Sequence, residues 1–239
     1  MSPATKPEAG VSTSTDTTAA LPTAAVEDYA KAIYSLTGWG PETASTNDLA
    51  ARLGVKPGSV SAMIKKLDDA GLIERVPYHG VRLTANGTRV ALAVLRRHRL
   101  LELFLAEVLD VPWERVHDEA EVLEHALSED LTELISTKLG DPAFDPHGDP
   151  IPTRELSLAE TETDNLGSME AGDKATFVRV SDSNSEMLAY LSQCGISVGE
   201  EFEMVEKQPF DGPVSIRIGE QTHVLGLTLA QAMRIVPAA

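Results

Sequence analysis

Apolar positions recur at helical spacing from residue 25 to about 137, and the pattern changes to short alternating runs after residue 175. In AVEDYAKAIYSLT, residues 25–37, Val26, Tyr29, Ile33 and Leu36 share one helix face. The Gly- and Pro-containing GWGPE ends that helix. Ser45, Thr46 and Asn47 offer N-caps for a short helix, TNDLAARLG, closed by Gly54. VKPGSV reads as a tight turn. A second helix over SVSAMIKKLDDAG buries Val60, Met63, Ile64 and Leu67 and stops at Gly71. LIERVPYH and VRLT, turned at Gly80, predict a two-stranded wing. Helix, turn, helix and wing in this order form a DNA-binding layout.

The helical pattern continues. Asn86-Gly87 opens a helix over roughly 88–109, with Val90, Val94, Leu101, Phe104, Leu105 and Val108 apolar. Another runs from about 114 to 137, with Val116, Ala120, Leu123, Leu127, Leu131 and Leu134 as its stripe. These helices either supply a dimer interface or simply pack on each other. Residues 140–168 are rich in Pro, Asp and Glu and read as a structured turn region to Leu158, then a polar linker. ATFVRVS, EEFEMVEK, VSIRIG, THVLGL and AMRIV are strand-like, with a helix over SEMLAYLSQCG between the first two. A small β-barrel is expected there.

Composition adds three bounds. The opening stretch MSPATKPEAGVSTSTDTTAALPT has no apolar core of a signal peptide and reads as a disordered tail. No run approaches the roughly 18 apolar residues of a membrane span. A single cysteine, Cys194, cannot form an internal disulfide, which fits the cytoplasm. The net charge of −17 argues against nucleic acid, but its distribution reverses that. Residues 24–98 carry ten Lys/Arg against seven Asp/Glu, a net of +3, and residues 99–239 are −19. A basic N-terminal module on an acidic body is the footprint of a DNA binder with a separate regulatory part.

Two His-and-carboxylate clusters follow that module directly. His98 and Glu102 are four apart on one helix face, and His117, Glu121, Glu124 and His125 line a second stripe. Isolated glutamates on helices are usually a solvated face. Here Glu121, Glu124 and His125 project together, and two carboxylates about 4 Å apart repel by several kcal/mol at an effective dielectric near 20. A divalent cation removes that repulsion. The clusters contain no cysteine, so thiolate zinc and iron–sulfur chemistry is unsupported. Imidazole with carboxylate suits Mn2+ or Fe2+. Neither a G-x-S-x-G nor a phosphate loop occurs, and no enzyme activity is expected. A DNA-binding module beside a metal cluster reads as a metal sensor. His147, in DPHGDPIP, reads as a loop residue with a metal contact as the lesser alternative.

The segments EDYAKAIYSL, LAARLGVKPGSVSAMIKKLDDAGLIE, RRHRLLELFL, VHDEAEVLEH and HGDPIP resemble the diphtheria toxin repressor family, in its manganese transport regulator branch. The β-rich end, with LGLTLAQAMRIV, resembles the SH3-like, ferrous-iron-transport-A-type domain of longer members. The resemblance spans about residues 24–237. It implies a mainly α fold with a C-terminal β-barrel. The tail is 1–23, a winged helix-turn-helix 24–87, a helical metal-binding and dimerisation domain 88–158, a linker 159–171 and the SH3-like domain 172–237. It implies a primary metal site at Asp28, Glu121, Glu124 and His125, where carboxylates at the first two positions favour Mn2+ over Fe2+. The ancillary site maps to His98, Glu102 and His117, with Asp182 the nearest match for a further acceptor and Glu186 competing. The short manganese regulators carry an acid one turn after the Asp, where this chain has Lys31, so a closely spaced two-manganese cluster is not expected. Asp145 and Asp149 replace the loop residues that bind an anion in some iron repressors.

The function so implied is a manganese-responsive repressor that binds double-stranded operator DNA as a metal-activated homodimer and controls metal-uptake genes. Fe2+, Co2+ or Zn2+ would substitute in vitro, and neither a membrane nor a small-molecule substrate is involved. Lys56, Ser59, Ser61 and Lys65 on the recognition helix, Arg82 on the wing and Thr46 are the expected DNA contacts. For each serine a solvent-facing role is an equal alternative. The rival readings are an iron(II)-responsive repressor of the same fold, a carboxylate/His metalloenzyme, and a winged-helix regulator that uses no metal.

Overall fold

The helical stripe at 25–37 folds as α1 (Ala24–Thr37), whose Val26, Tyr29 and Ile33 enter a core shared with α2 (Thr46–Leu53) and α3 (Pro57–Asp69). The structure, a computed structural model, describes residues 22–38, 42–159 and 162–238; residues 1–21 of the predicted tail lie outside them. Ser45 starts α2 with a reciprocal cap shared with Asp48, and Gly54 ends it in the left-handed region. Pro57 occupies the first turn of α3, where its missing N–H costs nothing. The segment read as a free-standing turn therefore already belongs to the helix. β1 (Ile73–Val76) and β2 (Gly80–Leu83) pair antiparallel as the wing. Its tip is Pro77-Tyr78-His79 rather than Gly80, with Tyr78 fully exposed.

α4 (Ala85–Leu109) joins the two helical parts of the molecule. Thr84 caps it, accepting from the Gly87 amide at 3.2 Å. Its first half packs Ala91, Leu92 and Leu95 against Ala30 and Tyr34 of α1. Its second half builds another core from Leu100, Leu101, Leu103, Ala120, Ile135 and Ile151. The stretch expected as one helix from 114 to 137 is two, α5 (Val116–Leu123) and α6 (Glu129–Lys138). Ser128 causes the break: its hydroxyl accepts from the Leu131 amide at 3.2 Å and caps a new helix. Glu124 and His125 thus lie in the turn after α5, not on a continuous stripe.

The C-terminal part contains β3 (Asp164–Asn165), a 3-10 turn at Leu166–Ser168, β4 (Lys174–Val180), α7 (Ser185–Cys194), β5 (Glu201–Lys207), β6 (Val214–Ile218), β7 (Gln221–Leu225), α8 (Leu227–Ala232) and β8 (Met233–Pro237). The first two elements fall within the stretch 159–171. The strands form one antiparallel sheet in the order β3-β8-β4-β5-β6-β7. This corrects the expected β-barrel: the edge strands β3 and β7 do not pair with each other, so the sheet is open. Closure is unnecessary because helices cover the apolar face. Leu188 and Leu191 of α7, Leu229 and Ala230 of α8, and Leu166 pack on Phe177, Met204 and Ile216. No helix among the described residues is long and apolar enough to cross a membrane.

The loop at 145–149 docks on this sheet. The Val180 amide donates to the His147 carbonyl at 3.0 Å. Gly148 has φ +85, and a Cβ there would lie 1.9 Å from the Val178 carbonyl oxygen. Only glycine allows this approach. Val178 sits at the register shift between β4 and β8, which leaves its carbonyl available to face the loop.

Candidate functional site

Residues of α1, α4, α5 and the turn after α5 meet at the boundary between the DNA-binding module and the helical body. His125 Nε2 lies 2.9 Å from Asp28 Oδ1 and 3.5 Å from Glu124 Oε1. These three residues offer donor atoms close enough to share one metal ion. Glu121, expected with them, stands apart and groups instead with His98 and Glu124. Lys31 Nζ explains the separation, since it donates to Glu121 Oε1 at 2.7 Å and to Glu124 Oε1 at 2.6 Å. Glu124 is fully buried, and its other oxygen accepts from His98 Nδ1 at 2.6 Å. Burial would raise Glu124, but the His98 hydrogen bond and the Lys31 charge hold it below the usual carboxylate range. Burial raises Asp28. Glu27 adds a partner that the spacing of acids did not single out. It bonds His125 Nδ1 at 2.7 Å and accepts from Arg97 at 2.6 Å, which orients the His125 ring.

A second group forms where α4, α5 and the end of β4 converge. His98 Nε2, Glu102 Oε1, His117 Nδ1 and Asp182 Oδ2 face one another. His98 Nε2 lies 3.0 Å from Glu102 and 3.2 Å from His117 Nδ1. His117 Nδ1 lies 3.2 Å from Glu102 and 3.1 Å from Asp182. All four residues expected in this group are therefore together, and Glu186 is exposed on α7 with no part in it. Burial lowers His98, but hydrogen bonds to Glu102 and Glu124 push it up to about 9; Asp182 and Glu102 likewise push His117 up to about 10. When both rings are neutral, two nitrogen lone pairs and two carboxylate oxygens point at one place. That donor set fits a divalent cation with hard or borderline character.

Glu102 also faces the 145–149 loop. Its Oε2 and His147 Nδ1 are buried and unpartnered, 3.9 Å apart. His147 Nε2 donates to the Trp113 carbonyl at 2.8 Å, so Nδ1 carries the lone pair. Asp145, Glu102 and His147 form a fully buried donor group. Burial pushes Asp145 well above the usual range. Two orphaned acceptors in a buried site want a proton or a cation between them. His147, read from sequence as a loop residue, is thus placed against Glu102. Asp145 and Asp149 lie 3.7 Å and 3.4 Å from the Arg99 guanidinium, and so furnish that arginine with internal anions.

The residues expected to contact DNA divide. Lys56 at the N-cap of α3 and Ser59, Ser61 and Lys65 on it are exposed, and Thr46 is half-buried at the start of α2. The Ser61 hydroxyl donates to the Pro57 carbonyl at 3.1 Å, and Arg82 is paired with Glu74 across the wing. Lys66, seven residues after Ser59, shares its exposed arc. Some of the basic excess is internal: Arg96 bonds Glu133, Ser136 and the Pro152 carbonyl, and Arg97 bonds Glu27 and the Glu124 carbonyl. Arg52, Lys56, Lys65, Lys66 and Arg89 form no ion pair among the described residues and remain as the surface charge.

On the outer side of the helical body lies an apolar groove lined by Phe104, Leu109, Leu123, Leu127, Leu131 and Leu134. Leu134 is 67% exposed and Val122 74%.

Three family descriptions match the chain in order. "Iron dependent repressor, N-terminal DNA binding domain" covers residues 23–81, "Iron dependent repressor, metal binding and dimerisation domain" 84–153, and "FeoA domain" 165–237. The iron-dependent repressor IdeR of Mycobacterium tuberculosis is 34% identical over 156 residues, which are 65% of this chain and 64% of that protein. The diphtheria toxin repressor of Corynebacterium glutamicum is 28% identical over 219 residues, covering 87% of this chain and 94% of its own. A solved manganese-dependent transcriptional repressor in complex with manganese is similar at TM-score 0.83 and 41% identity, over 89% of this chain and all of that one. ScaR with bound Zn2+ is similar at TM-score 0.75 and 30% identity, over 89% of this chain and 99% of its own.

Proposed function

This chain belongs to the iron-dependent repressor family of metal-dependent, DNA-binding transcriptional regulators, and from that premise we propose that it is a manganese-responsive repressor that binds operator DNA as a metal-activated homodimer and controls metal-uptake genes. The observation that carries the reading is the Asp28–Glu124–His125 group, because Asp28 belongs to the DNA-binding module and the other two to the helical body. Those three residues would hold the activating ion. His98, Glu102, His117 and Asp182 would hold a second, and the orphaned Glu102 Oε2 and His147 Nδ1 give that region further donor capacity. When bound, the ion supplies the positive charge that lets carboxylates from different modules stay together.

Asp28 then ties α1 to the turn after α5, and α1 carries α2 and α3 with it through their common core. In a dimer this fixes the separation of the two α3 helices, which must match about one turn of DNA or a multiple. The apolar groove around Leu123, Leu131 and Leu134 is the surface for the second copy. Oxygen at Asp28, where the iron-responsive branch carries sulfur, supports manganese over softer ions.

An iron(II)-responsive repressor is the second reading, favoured by the mycobacterial and corynebacterial relatives. Binding to DNA fragments selected from a random pool, titrated in parallel with Mn2+, Fe2+, Co2+ and Zn2+, separates the two. Activation by Mn2+ at the lowest free concentration relative to that ion's cellular supply is expected. Activation by Fe2+ alone would establish the rival, and binding equal in chelator and in every metal would reject both.

A further inference from the structure

The donor groups Asp28–Glu124–His125 and His98–Glu121–Glu124 overlap at Glu124. Both have the residue types and spacing of a metal site, yet a cation already sits in one of them. Lys31 Nζ bonds Oε1 of both Glu121 and Glu124, at 2.7 Å and 2.6 Å, with only 14% of its side chain exposed. The same Glu121 oxygen lies 3.8 Å from His98 Nδ1 and 3.7 Å from His117 Nε2. Among the described residues the ion pairs of Lys31 are with Glu121 and Glu124, whereas the donor atoms of Asp28 and His125 face each other directly.

We propose that Lys31 is a tethered cation that fills the His98–Glu121–Glu124 group and closes it to metal, so that only the neighbouring Asp28–Glu124–His125 group takes an ion at this boundary. The proposal rests on the metal-binding reading above and extends it to a residue that ligates nothing. Three features support it. An ammonium has N–H donors for both glutamates but no lone pair for a metal, so it competes with an ion for the group and cannot join it. The carboxylate oxygen of Glu124 that Lys31 occupies has two lone pairs and keeps one for the Asp28–His125 side. Lys31 lies one turn after Asp28 on α1, so the helix that delivers a ligand to one group delivers the competing charge to the other. Lys31 also leaves Glu121, a carboxylate at the right distance for a ligand, acting as the partner of a lysine.

The test is the number of manganese ions held per protomer at fixed free Mn2+, measured by plasma mass spectrometry on the full chain, for wild type, Lys31→Met and Lys31→Met with Glu121→Gln. Lys31→Met is expected to hold one ion more than wild type, and the added Glu121→Gln to remove it again. Anomalous diffraction at the manganese edge on wild-type crystals serves if the variants do not fold; no peak is expected within bonding reach of Glu121. Equal counts in wild type and Lys31→Met, or a wild-type peak bonded to Glu121 and His98, overturn the role of Lys31 and leave the metal reading standing. No manganese in any of these proteins overturns both.

Discussion

Glu124 accepts from Lys31 on one oxygen and from His98 on the other, with no exposed surface. Removing its charge strands two cationic partners, and breaking a buried pair on one side costs about 3–5 kcal/mol. Glu124→Gln should therefore lower the melting temperature of the metal-free protein as well as abolish metal-dependent DNA binding; an unchanged melting curve would contradict the geometry. At Asp28 the change is selective. Asp28→Met exchanges oxygen for sulfur and is expected to shift activation from Mn2+ toward Fe2+ or Co2+, whereas unaltered manganese activation would remove Asp28 from the ligand set. The histidines set the pH dependence. A histidine raised in the folded state stabilises the fold fully below its unfolded value of 6.5, and that contribution is lost as pH rises through the folded value. With His98 at about 9 and His117 at about 10, the chelated protein should lose melting temperature from pH 6.5 to 10, and the loss should shrink with Mn2+ bound. Calorimetry across that range checks the sign. At this scale the sequence was informative where ligands share a helix face: His98 with Glu102, and His117 one helix on. It was silent on Glu27 and ambiguous on His147, because their roles arise from contacts 98 and 45 residues away in the chain.

Helix α3 presents Ser59, Lys65 and Lys66, with Lys56 at its N-cap, and these lysines form no ion pair among the described residues, while the Ser61 hydroxyl donates to the Pro57 carbonyl. Lys65→Ala should weaken DNA binding across sequences and reduce the salt slope by about 1, and Ser61→Ala should change affinity far less. The reverse order in a salt titration would relocate the interface. Elements were legible in proportion to their length. α1 and α4 run long enough for their periodicity to identify them, and the wing was marked by β-branched residues around a turn. The 114–137 stretch misled because Leu123, Leu127, Leu131 and Leu134 keep helical spacing across a break that one capping serine imposes. α8 escaped notice since its six residues, LTLAQA, are too short to show a helical period and sit between strands. The open sheet could not be told from a barrel, because both use the same alternation. What decides between them is whether an edge strand pairs or a helix covers the face.

α4 belongs to both helical cores, so the DNA-binding module and the sensor share one rigid element and differ by what packs on either end. The third part meets the helical body through the 145–149 loop and Asp182, which brings these two parts together at the His98–Glu102–His117 group. The exposed groove around Leu131 and Leu134 makes a prediction at this level. Leu134→Glu should shift the protein toward monomer in sedimentation velocity and weaken DNA binding with metal uptake retained; a dimer of unchanged stability would move the interface elsewhere. Domain order was readable from the change of period and the charge asymmetry, but the joint between domains was not, since Asp28 meets His125 only in three dimensions. The central claim is that metal held across that joint switches DNA binding. Its most direct test is the affinity for selected DNA, measured by fluorescence anisotropy with Mn2+ and with chelator, for wild type and Asp28→Ala. Wild type is expected to bind at least tenfold tighter with Mn2+, a difference of about 1.4 kcal/mol, and Asp28→Ala to bind equally weakly in both. Equal manganese activation in the two proteins would contradict the account.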